Sequence, residues 1–288
     1  MRSSTVSLSI LLLLLAGCLA EGPIDDDDVT GDDDDATGDD DDATGDDDDA
    51  TGDDDDATGD DDDATATGPC PADMVQVAPV GEPAFCIDPF EGALEVQDGA
   101  AWVPRTPYGA LEASEVVRAV PADGVVPQSS ISGAEAEAAC GLSGKRLCTS
   151  AEWLAACRGP SDWTWPYGAS HVADRCNDTY PGTHPVVDYF GTNVGIWNPA
   201  SMNDPGINQQ ADTVEPGGAH AECVSDWGAF DMHGNLHEWV SDADGTFRGG
   251  FFGDAEINGP GCTYATTAHT MGYHDYSTGF RCCSDAAP

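Results

Sequence analysis

The sequence predicts an α+β domain with much irregular backbone and a disulfide framework, on three observations. Two short helices are marked by capping boxes. Brief strand-like runs lie among scattered glycine, proline, asparagine and aromatic residues. Ten cysteines, an even number, follow Cys18 in a chain that begins as export signals do.

Residues 1–17 carry one basic residue, Arg2, and an apolar run from Ile10 to Leu15. That is the layout of a secretory signal, and the run is shorter than the roughly 20 residues a spanning helix needs. Leu15-Ala16-Gly17-Cys18 is similar to a bacterial lipobox, which implies cleavage before Cys18 and its lipidation. An ordinary cleaved signal with an incidental cysteine is the alternative. Several acyl chains would anchor stably where one would not. Leu19 stands where such signals use Asp for inner-membrane retention, so the expectation is an outer-membrane lipoprotein of the cell envelope, its domain in the periplasm or at the surface.

From Asp25 to Asp63, six blocks of four aspartates recur every seven residues, separated by Thr-Gly-containing spacers. The repeat offers no apolar position for a coiled-coil seam, and its like charges repel, so residues 18–68 read as a disordered stalk. About 50 flexible residues span on the order of 40 Å. Reach is the expected role, with loose divalent-cation binding as a nonspecific alternative. Residues 69–288 then suit one domain of ordinary size.

From Ala66 onward the chain carries 29 acidic and 8 basic residues, a net charge of −21 with histidine neutral. Nucleic acid and anionic membrane surfaces would repel it, and both are excluded as partners. The ten cysteines after Cys18 read as up to five disulfides. A zinc or iron–sulfur site would call for a short Cys-x-x-Cys pair, and the sequence has none. Sequence alone leaves about 945 pairings open.

Short strand-like runs are expected at Met74–Val77 and Ala84–Ile87. Ser132-Gly133-Ala134-Glu135 and Thr149-Ser150-Ala151-Glu152 each place a hydroxyl three residues before a glutamate, the reciprocal capping box. They open helices ending near Gly141 and near Arg158-Gly159. Tryptophans such as Trp153, Trp165 and Trp239 are expected to fill the core between loops.

Four segments carry a resemblance. Gly144-Lys145-Arg146-Leu147 with Glu152-Trp153, then Gly228 to Val240 (G-A-F-D-M-H-G-N-L-H-E-W-V), then Arg248-Gly249-Gly250, then Gly279-Phe280-Arg281 occur in the order of the formylglycine-generating-enzyme, or sulfatase-modifying-factor, family. The resemblance implies a C-type-lectin-like fold. It also implies bridges Cys140–Cys282 and Cys157–Cys262. With those set, elimination and proximity pair Cys70 with Cys86, Cys148 with Cys283, and Cys176 with Cys223.

The family's structural calcium site implies Asp231 and Glu238 by side chain and Gly234 and Leu236 by carbonyl, in keeping with calcium's need for many oxygens. A weaker match to its other calcium loop covers Asn177, Asp178, Asp188 and Phe190. Local pairing of Glu238 is the alternative. His233, His237 and Glu238 invite a zinc-protease reading, but Gly234 and Asn235 break the helix it needs and the glutamate follows the second histidine.

The family's oxidase holds copper(I) by two thiolates shortly after Arg-Gly-Gly. Soft copper(I) favours such ligands, yet Asp254 and Gly259 stand at those positions here, and Cys262 is the one cysteine nearby. Copper is therefore not expected. The first functional expectation is a membrane-anchored exported protein whose domain binds a ligand or partner protein in its groove without copper oxidase activity. A metal-dependent oxidoreductase with a rearranged site at Asp254, His269 and His274 is the alternative. An adhesive surface protein is a third, because fold does not fix function.

Overall fold

The computed structural model describes residues 68–242 and 244–288. The signal sequence, Cys18 and the aspartate stalk lie outside the described residues. Among the described residues no helix is long and apolar enough to cross a membrane.

Secondary structure is sparse and comes in short pieces around three small sheets. β1 (Val75–Val77), β2 (Phe85–Ile87), β6 (Arg146–Leu147) and β11 (Cys282–Asp285) form one in the order β1-β2-β11-β6. β3 (Gly92–Asp98), β4 (Ala101–Pro104) and β5 (Val117–Pro121) form a second in the order β4-β3-β5. The third has the order β10-β7-β8-β9, from β7 (His237–Val240), β8 (Thr246–Arg248), β9 (Ala265–Thr266) and β10 (Thr278–Phe280). β7 and β10 run parallel, with Glu238 opposite Gly279.

The two expected helices form with their capping boxes. α1 (Gly133–Leu142) opens with Ser132 Oγ accepting from the Glu135 N–H and the Glu135 carboxylate accepting from the Ser132 N–H at 2.9 Å. α2 (Ser150–Arg158) repeats the exchange between Thr149 and Glu152 and ends at Gly159, φ 65°. Each box satisfies two N–H groups that a short helix would otherwise leave orphaned. Two further turns of helix, α3 (Pro185–Phe190) and α4 (Pro199–Met202), start with proline in the first turn, where its missing N–H costs nothing.

Helices this short hold only through packing. Cys140 of α1 bonds to Cys282, and Cys157 of α2 to Cys262. Cys148 bonds to Cys283, Cys70 to Cys86, and Cys176 to Cys223. Successive side chains of a strand point to opposite faces. Cys282 and Cys283 accordingly enter different apolar clusters, one around Trp239, Phe247 and Phe280, the other around Trp153, Met232 and Val240. A third cluster gathers Val186, Ile207, Leu236, Phe252 and Tyr276 beneath α3 and α4. Trp153 and Trp239 are fully buried, whereas Trp165 is half-buried.

Between these clusters lies a fully buried ion pair. Arg281 donates from Nε and Nη2 to the two oxygens of Glu238, each at 2.6 Å. Trp153 Nε1 of α2 donates to the same carboxylate at 2.8 Å. The other guanidinium hydrogens reach the carbonyls of Phe230 at 2.8 Å and Asp88 at 3.2 Å. Removing one partner of such a pair strands a charge in the interior. Arg281→Met should therefore lower the unfolding free energy by about 3–5 kcal/mol in urea titrations, and adding Glu238→Leu should recover part of it. Equal losses in both variants would mean that the guanidinium acts through packing alone.

Candidate functional site

The segment from Asp231 to Leu236 is a tight loop that leads into β7, the strand that carries Glu238. Asp231, Gly234 and Asn235 all take positive φ, at 56°, 83° and 53°. A side chain at 234 would strike the carbonyl of Asn177, so only glycine fits. Asn235 is the hub: its Nδ2 donates to Glu91 and to the Glu215 carbonyl, and its Oδ1 accepts from the Glu215 N–H and from Asn177 Nδ2. Glu91, fully buried, also accepts from the Leu236 N–H at 2.9 Å. Burial, reinforced by the charges of Asp231 and Glu238, pushes the Glu91 carboxyl well above the carboxylate range. Burial raises Asp231 to about 6, against the pull of the Gly218 N–H and Arg281.

Of the residues expected to hold calcium, Glu238 gives both oxygens to Arg281 and Trp153, and Asp231 accepts from the Gly218 N–H at 2.8 Å. Glu238 is thus the anionic half of a buried ion pair, and a cation here would have to share it with a guanidinium. In the second set, Asp178 turns its carboxylate to His171 and His233, while Asp188 accepts from the Thr183 N–H at 2.9 Å. Burial alone would raise the Asp178 carboxyl, but the two histidines hold it below its usual range. Asn177 donates to the Thr213 carbonyl and to Asn235, and Phe190 closes α3. In neither set do both carboxylates stand free.

After Arg248-Gly249-Gly250 the backbone folds on itself through a bridge between Phe251 and Asp254. Asp254 caps the next turn, accepting from the N–H groups of Glu256 at 3.1 Å and Ile257 at 3.0 Å. Cys262 is bonded to Cys157, and all ten cysteines among the described residues are in disulfides. A carboxylate, a glycine and a disulfide do not fit the two-thiolate demand of copper(I).

His269, His274 and Asp254 are not brought to one place. His269 stacks on Tyr273 with ring centres 3.7 Å apart. His274 lines a largely apolar cavity of about 330 Å³ with Trp197, Asn198, Met202, Asn203 and Tyr273. There its Nδ1 lies 2.8 Å from Asn203 Oδ1, and Asn203 Nδ2 donates to its carbonyl at 3.1 Å. Tyr273 donates to Asp275 at 2.6 Å, and burial with that charge pushes its phenol well up. Asp254 lines a separate cavity with Asp178 and His171. Nearness to the Arg-Gly-Gly motif in sequence did not translate into a shared site, because the Phe251–Asp254 turn points the carboxylate back onto its own backbone.

A family model described as the sulfatase-modifying factor enzyme 1-like domain matches residues 96–286. The chain belongs to that family. Among solved structures, the chain is similar to PvdO from Pseudomonas aeruginosa. The two are 14% identical with a TM-score of 0.44, over 74% of this chain and 90% of that one. No curated protein matches.

One histidine of the domain works purely as packing. His237 lies among Phe247, Phe251 and Tyr264, with ring centres 4.5, 5.0 and 5.4 Å away. Burial first, and then the nearby His269, lowers it from 6.5 to about 3. As pH falls below 6.5 the unfolded chain takes up this proton and the folded one does not, so stability falls. By pH 5 the loss is about 2 kcal/mol. His237→Phe should flatten the decline in urea midpoint between pH 6.5 and 5 by that amount. An unchanged slope would place the proton uptake elsewhere.

Proposed function

We propose that this sulfatase-modifying-factor domain is a binding module, exported and tethered to the envelope by a lipid on Cys18, that has given up the copper oxidase chemistry implied by the family resemblance. The observation that carries the reading is the state of Cys262. The one cysteine near the expected thiolate positions is joined to Cys157, with Asp254 and Gly259 at those positions.

The binding face in this reading is the cavity between α4 and the segment before β10. Its walls are mostly apolar, contributed by Trp197, Met202 and Tyr273, with the Asn203–His274 pair at one side. Apolar walls with a few placed polar groups suit a peptide segment or a small ligand. Trp197 is half exposed at 53%, and its ring meets His184 edge-on, which leaves an aromatic face for a partner to cover. The aspartate stalk would supply reach from the membrane.

The test is turnover. The full chain, supplied with copper(I), oxygen, a thiol reductant and a peptide bearing a sulfatase-type cysteine, should consume no oxygen beyond a copper-only control and leave the peptide mass unchanged. Conversion of the cysteine to formylglycine would overturn the proposal.

A further inference from the structure

His171, Asp178 and His233 are far apart in sequence and meet at one carboxylate oxygen. His171 Nε2 lies 2.7 Å and His233 Nε2 3.2 Å from Asp178 Oδ2. The ligating atoms of the three all lie within 4.8 Å of one another. His233 is fully buried, and neither of its ring nitrogens has a hydrogen-bond partner: Nε2 is close to Asp178 but out of line, and Nδ1 meets no acceptor. A buried imidazole with two orphaned nitrogens is costly unless something takes a lone pair.

We infer that these three side chains form a site for a divalent transition metal of the zinc type. Two imidazoles and one carboxylate are the donors such ions take. Ligand atoms about 2.0–2.1 Å from a tetrahedral ion stand about 3.3 Å apart, so the His233–Asp178 separation already fits and the His171–Asp178 separation needs only a small opening. His171, partly exposed and in a loop, can provide that movement.

The other two ligands are held. Asp178 follows Cys176, which is bonded to Cys223, and the Asn177 carbonyl accepts from the Asn235 N–H at 2.7 Å. His233 precedes Gly234, whose N–H donates to the Gly249 carbonyl at 2.9 Å. Rigid placement of ligands before the ion arrives is what a specific site requires.

The cluster opens on a cavity of about 290 Å³ lined by His171, Asp178, Tyr180, Asp254 and Glu256. His171 and Asp178 face this space and His233 is buried behind them. Three protein ligands so placed leave the fourth coordination position to water or a small ligand on the cavity side, the layout of an open metal site. Asp254 and Glu256 would add negative charge to its rim. The site is separate from the cavity at His274 and does not depend on the binding reading given above.

Cobalt(II) is the probe, because four-coordinate cobalt absorbs strongly in the visible whereas octahedral carboxylate sites, such as the aspartate stalk could offer, absorb weakly. The chelator-stripped full chain should develop a visible band saturating at one equivalent, and zinc should abolish it. His171→Ala and Asp178→Asn, with folding verified by circular dichroism, should each weaken cobalt(II) binding by at least about tenfold. Absence of the band, or a band that neither substitution alters, would overturn the assignment and leave only adventitious binding to the stalk.

Discussion

The ion pair between Glu238 and Arg281 is the interaction on which the rest of the domain depends. Burying two charges is expensive, and the expense is offset only where geometry is good and every remaining donor finds an acceptor. Both conditions hold: the fork of the guanidinium meets both oxygens of Glu238, and its other hydrogens reach the Phe230 and Asp88 carbonyls. Trp153 joins from α2. One interaction therefore fixes the positions of the entry helix, the Gly-Asn loop and the closing strand, the places where the family motifs fall.

Around that pair the fold relies little on regular structure. Its sheets are small and mostly built from strands of two to five residues, and α1 and α2 have only a few turns between them. What keeps long loops in register is covalent. β11 carries Cys282 on one face and Cys283 on the other, so one strand staples the α1 side and the Cys148 side at once. The interior can then place polar groups where apolar packing alone would not hold them, as the hydrogen bonds around Asn235 illustrate.

How much of this was legible in the sequence followed the range of each interaction. The capping boxes at Ser132 and Thr149 are contained within four residues, and both helices formed where those signals lay. β1 and β2 fell within the expected runs. The sheet of β3, β4 and β5 carries no comparable mark, and α3 and α4 depend on packing over Tyr276 and Ile207 that no local pattern announces. At the site, Glu238 and Arg281 each stood in a motif, but nothing in the sequence paired them. Arg281 meets Glu238 only after the chain has folded, and Asn235, read in the sequence as a helix breaker within the motif, gave no sign that it would hold Glu91. His171 had no distinguishing neighbour in sequence. The grouping of Asp254 with His269 and His274 failed for the same reason, since closeness along a chain rich in turns says little about the direction of a side chain.

The order of the cysteines along the chain imposes a demand on biosynthesis. Cys70–Cys86 and Cys176–Cys223 join neighbours in the cysteine series, but Cys140–Cys282, Cys148–Cys283 and Cys157–Cys262 span intervening cysteines. A polypeptide oxidised progressively from its amino end would couple Cys140 to Cys148 long before residue 282 emerged. Reaching the native connectivity thus requires either oxidation delayed until the whole domain is available or reshuffling by thiol–disulfide exchange. Yield of the correctly bonded domain then depends on the timing of oxidation, or on the exchange that corrects early pairings, as well as on the sequence of the core.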